Sequence, residues 1–153
     1  MNKFLILCSI VLILLPATAQ NSDTVSWIHE LAKKDRVSVG DSVRLFVLQT
    51  GRKYSDFLSG AGMLKSDGIL PDREYTADDA LSRGTLAYMT ARYLKLDDSV
   101  WYVLFGTERY AYAACVSDGI MKEGQSVSGT VSGPELIEVI GIISDRMGGG
   151  DEQ

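Results

Sequence analysis

The chain has 153 residues, 46% of them hydrophobic and 23% charged, with a formal net charge of −5. That apolar content speaks against a disordered chain, and the net acidity speaks against DNA, RNA or an anionic membrane as the main partner, since those require clustered Lys and Arg. Two cysteines and one histidine are too few for a structural zinc site of four Cys or His ligands.

Met1 to Ala19 carry one cation, Lys3, an apolar run from Phe4 to Leu15, a break at Pro16 and the small residues Ala17-Thr18-Ala19. This is the pattern of a signal peptide. The run covers 12 residues, short of the roughly 20 that a spanning helix needs. Its removal leaves 134 residues with 14 Lys and Arg against 20 Asp and Glu, near −6. The expectation is an exported protein of the periplasm, cell envelope or exterior, with no transmembrane segment after cleavage. Without Cys8, Cys115 has no partner for an intramolecular disulfide, so the core has to hold the fold. We expect a helical lead-in over 20–36, a single helical domain over 37–147 and a tail over 148–153 with no means of ordering itself.

Trp27, Ile28, Leu31 and Ala32 predict a short helix in the lead-in. Beyond it two kinds of element recur. Val37-Ser38-Val39-Gly40-Asp41, Leu81-Ser82-Arg83-Gly84-Thr85 and Val131-Ser132-Gly133-Pro134-Glu135 read as helix starts. Each has a Ser at the N-cap, an acidic residue or Thr three places on, and an apolar residue before the Ser placed for a hydrophobic staple. They predict helices over about 38–50, 82–96 and 132–146. Leu86, Met89, Tyr93 and Leu94 mark the apolar face of the second, and Leu136, Ile140, Ile143 and Met147 that of the third. Ser66-Asp67-Gly68-Ile69 and Ser117-Asp118-Gly119-Ile120 read as helix stops, with Gly in the left-handed conformation at C′ and Ile folding back onto Leu64 or Cys115. Phe57, Leu58, Ala61 and Leu64 form the apolar stripe ahead of the first stop. The fold class expected is all-α, a compact array of short helices in two to three helix-loop-helix repeats, about 38–80 and 82–130, closed by the helix at 132–146.

Leu81 to Leu94 resembles the Thr-Arg-Ala-Glu helix of the S-layer homology domain, with Ser82 for Thr and Arg83 in the Arg place. Tyr110 to Met121 resembles the helix ending in Gly-Ile that precedes each such motif. The resemblance implies a helical module that anchors exported proteins to cell-wall polymer, using the motif arginine and nearby aromatics to hold an anionic sugar. The arginine is present in one of three places, Val39 and Gly133 standing in the others.

The remaining chemistry is sparse. His29 has no nucleophile-and-acid motif around it, and Cys115 occupies a core position. Asp72, Glu74, Asp78 and Asp79 cluster in one loop and Asp97-Asp98 in another, without the calcium-loop pattern. Val100 to Phe105, the most apolar stretch after the leader, fits a helix or a buried strand equally well, so the conformation of 97–107 is open. The tentative ligand-binding residues are Arg83, Arg92, Trp101, Tyr102 and Arg109, with Phe105, Tyr110 and Tyr112 adding to an aromatic platform. No catalytic residue, metal ligand or cofactor is expected, and the expected partner is cell-wall polysaccharide or an envelope protein. The alternative is a small periplasmic enzyme acting on glycan through paired carboxylates.

Overall fold

A computed structural model describes residues 25–96 and 106–148. The leader at 1–19, the 97–105 stretch with Trp101 and Tyr102, and the tail beyond Gly148 lie outside the described residues. Among the described residues six helices account for the regular structure, α1 (25–32), α2 (Val39–Gln49), α3 (Phe57–Ser66), α4 (Arg83–Leu94), α5 (Glu108–Ser117) and α6 (Gly133–Gly148). No strand forms among the described residues beyond two isolated bridges, Ser38 with Ala80 and Ser82 with Thr130. The all-α expectation holds, and none of these helices is long and apolar enough to cross a membrane.

The helix starts act through their serines. Ser38 forms a complete capping box, its side chain accepting from the Asp41 amide while Asp41 accepts from the Ser38 amide. Ser82 Oγ accepts from the Thr85 amide at 3.0 Å, and Ser132 Oγ from the Glu135 amide at 3.3 Å. The stops are Schellman caps. Gly68 and Gly119 sit at φ 70° and 71°, and the Ile69 and Ile120 amides each donate at 2.8 Å to the carbonyls of Leu64 and Cys115, which satisfies the end of each helix. The aspartates beside these glycines are also used, Asp67 by Arg52 and Asp118 by Arg146.

The three staple residues do more than cover a first turn. The Val37 amide donates to the Val131 carbonyl, Val131 to Leu81, and Leu81 back to Val37, at 2.9, 3.1 and 3.0 Å. This is a closed triangle of backbone hydrogen bonds between residues that are almost fully buried. Around it each start helix is received by a loop from elsewhere in the chain. The Val39 and Gly40 amides donate to Asp79 and Ala77, the Arg83 and Gly84 amides to Gly129 and Val127, and the Gly133 amide to Lys34. The amides that a helix leaves unpaired at its N-terminus are thus satisfied by the loop leading into another start helix, and the chain closes on itself. Gly40 permits this approach, since a Cβ there would lie 2.8 Å from the Ala77 carbonyl oxygen. Pro134 follows Gly133 in the first turn of α6, where a missing N–H costs nothing.

Phe46, Leu64, Leu86, Met89, Leu136 and Ile143 are fully buried around this centre. The stripe expected on α3 is partly wrong. Ala61 and Leu64 are buried, but Leu58 is 80% exposed, because a single-sided helix docked on α2 turns that position outward. Met147, expected on the apolar face of α6, is likewise exposed, lying beyond the turn that covers Ile143.

Asp56 caps α3, its Oδ1 accepting from the Ser59 amide at 2.9 Å. That bond, followed by one from Ser55, holds the carboxyl below the usual carboxylate range. A depressed folded-state value stabilises above the unfolded pKa of about 3.9 and is lost as pH falls through the folded value. Asp56→Ala is therefore expected to lower the urea midpoint at pH 6, with the gap to the parent protein shrinking below about pH 4.

Candidate functional site

At the third position of each start helix a cation meets the side chain. Lys34 Nζ lies 2.8 Å from Asp41 Oδ2, and Arg73 Nη2 donates to Thr85 Oγ1 at 2.9 Å. Arg83 reaches across to α6, donating from Nε and Nη2 to the two carboxylate oxygens of Glu135 at 2.7 and 3.0 Å. Where Thr85 lacks a carboxylate, Glu108 of α5 provides one, accepting from Thr85 Oγ1 at 2.9 Å and pairing with Arg73. The sequence alignment of Asp41, Thr85 and Glu135 is thus matched by shared chemistry in space.

Of these three contacts, the one at Arg83 opens onto a pocket of about 300 Å³. Ile120, Met121, Pro134 and Val139 form its apolar walls, and Arg83, Lys122, Gln125, Ser132, Glu135 and Glu138 its polar ones. The Arg83 and Glu135 side chains are 17% and 18% exposed, so their forked pair is largely shielded and geometrically fixed. Arg83 Nη1 lies against Gly129, where a Cβ would collide with it. Lys122 Nζ stands 3.4 Å from Glu138 Oε2 at the mouth.

The other residues expected at a site are not gathered here. Arg92 stands in the last turn of α4, about 13 Å along the helix from Arg83 at a rise of 1.5 Å per residue, and donates to Tyr88 while lying 5.5 Å from the centre of its ring. Arg109 is exposed on α5 outside the pocket lining. Tyr112 is buried and its hydroxyl donates to the Lys122 carbonyl at 2.6 Å, which makes it a brace for the loop under the pocket instead of an open platform. Trp101, Tyr102 and Phe105 lie outside the described residues. Lys122 and Glu138, which also line the pocket, are not among the candidates drawn from the sequence. The signal for Glu138 was its spacing, since three residues after Glu135 on a helix places both carboxylates on one face.

A second opening of about 420 Å³ lies between α3 and the 71–80 loop, lined by Phe57, Leu58, Ala61 and Tyr75 with Lys65, Glu74 and Asp79 at its rim. Asp79 is engaged by the Thr76 amide at 2.7 Å, which lowers its pKa. Among the described residues no three His, Cys, Asp or Glu side chains converge on a metal-sized space. Cys115 is buried, its thiol donating to the Ala87 carbonyl, and burial, with Asp118 nearby, pushes it up to about 12. Only a thiolate attacks a disulfide reagent, so Cys115 is expected to stay unlabelled by Ellman's reagent at pH 8 and to react once the protein is unfolded.

Comparison with protein-family models, curated proteins and solved structures found no match to this chain.

Proposed function

We propose that the chain is an exported, non-catalytic binding domain of S-layer-homology type, with an envelope glycan as its ligand at the pocket beside Arg83. The observation that carries this reading is the position of Arg83. It stands in the wall of an open pocket at the lower end of the size range of ligand sites, where an apolar surface and polar groups from six side chains face one space. A pyranose ring presents the matching combination of C–H faces and hydroxyls. The capping residues account for the scaffold by themselves, so the glycan reading rests on this pocket and on the resemblance around Arg83.

Retention on cell wall isolated from the organism that makes the protein tests it. The parent protein is expected to cosediment, and Arg83→Ala to reduce retention at least about ten-fold, the scale of losing one charge-assisted interaction. Arg83→Lys, which keeps the charge but not the fork, is expected to fall between them. Circular dichroism of each variant reports whether the fold survives. Absence of retention overturns the glycan reading.

One observation favours a second reading, binding of another envelope protein. Leu58 stands 80% exposed at the edge of the apolar opening between α3 and the 71–80 loop, and a large exposed aliphatic group beside an apolar groove fits a protein contact. Recovery of a defined protein from envelope extract, lost in Leu58→Asp, supports that reading. The carboxylate-hydrolase alternative requires turnover of glycan, read in the same incubation as the release of reducing sugar.

A further inference from the structure

The charge arrangement of the Arg83 pocket carries a statement about which ligand it accepts. We propose that the pocket selects an uncharged, hydroxyl-bearing sugar and not an acidic one, an inference that rests on the glycan reading above. Four ionised side chains line the pocket, Arg83 and Lys122 against Glu135 and Glu138, so the lining is formally neutral. The cation best placed to hold an acid is already taken. Glu135 accepts from Arg83 Nε and Nη2 at 2.7 and 3.0 Å in a largely shielded fork, and Lys122 lies 3.4 Å from Glu138.

An incoming carboxylate or phosphate would have to displace a bound carboxylate from Arg83 or lie beside it, and like charges in one site repel. A hydroxyl meets no such conflict, because it donates and accepts at once. It can donate to the free lone pairs of Glu135 or Glu138 while accepting from Lys122 or the unused N–H groups of Arg83. Gln125 and Ser132, also in the lining, have the same dual capacity. The protein's net charge of −5 acts in the same direction at long range, repelling a polyanion before contact. The resemblance implied an anionic sugar. The pairing of Arg83 with Glu135 argues for the opposite selection in this chain.

The test uses wall polysaccharide in two forms, as isolated and after its carboxyl groups are reduced to alcohols and its phosphate esters removed. Retention of the purified protein is expected to be at least as strong on the neutralised form as on the polymer as isolated, and not to fall between about 50 and 500 mM NaCl, since screening weakens only binding that is driven by opposite charges. Glu135→Gln and Glu138→Gln each leave the pocket with a net positive charge and are expected to favour the untreated, anionic form several-fold. Glu138 pairs at the exposed mouth, so its variant keeps the fold even where Glu135→Gln does not. Loss of retention on the neutralised polymer, or release by salt, overturns the selection while leaving glycan binding intact. Absence of retention on both forms overturns glycan binding and the selection together.

Discussion

Gly133→Ala is expected to cost the domain about 3 kcal/mol or more of unfolding stability, the upper part of the range for steric insertion into a packed site. Three observations set that scale. A Cβ at Gly133 would fall within the van der Waals envelope of the Leu31 carbonyl oxygen, with the Ala32 backbone close behind. The obstacle is backbone, so no side-chain rotation relieves it. The same residue also donates its amide to Lys34 at 2.8 Å, a bond that any retreat of α6 breaks. Gly141, in the middle of the same helix, is the control because nothing lies within 4 Å of its added Cβ. Gly141→Ala is expected to raise stability by about 0.5–1 kcal/mol through helix propensity. Urea unfolding of both variants followed by circular dichroism measures the contrast, and equal effects would remove the Leu31 contact as an explanation.

Leu81→Ala carries the next largest effect, a loss of about 3 kcal/mol within the range for buried leucine truncation. Leu81 is fully buried and belongs to the backbone triangle with Val37 and Val131. Its cavity would open where all three start helices begin, and no single helix can move in to fill it without disturbing the other two. The loss is therefore expected to appear in one transition, with tryptophan fluorescence, to which both Trp27 and Trp101 contribute, and helical circular dichroism changing together. Separate midpoints for the two probes would mean that the three corners do not unfold as a unit.

The local grammar of this fold was readable because its signals span three to five residues. Ser38 with Asp41, Ser82 with Thr85 and Ser132 with Glu135 encode a helix start in a fixed spacing, and Gly68 and Gly119 encode a stop through a left-handed backbone conformation that glycine adopts far more readily than other residues. Helix ends were accordingly legible to within about two residues. The closure was not. The hydrogen bonds joining Val37 to Val131 and Gly133 to Lys34 run between backbone groups far apart in the chain, and no side-chain pattern announces them. Arg83 stands out as a candidate by its place directly after the helix-capping Ser82. Its partner was hidden, because Glu135 read as the acid of a capping box while its carboxylate turns instead to an arginine 52 positions earlier. The exposure of Leu58 escaped for a related reason, since an apolar stripe specifies a helix face but not how much of that face a neighbour covers.

The order in which the loops receive the helices has a consequence in time. The corner at Lys34 and Val37 is made before α2, yet the groups that complete it, the Gly133 amide and the Val131 carbonyl, are synthesised only after α2 to α5. A chain stopped short of residue 131 lacks more than its final helix. It leaves the Val37 amide and the Lys34 and Leu81 carbonyls without partners, so the first and second corners stay open as well, and the nascent domain stays short of its final form until α6 has begun.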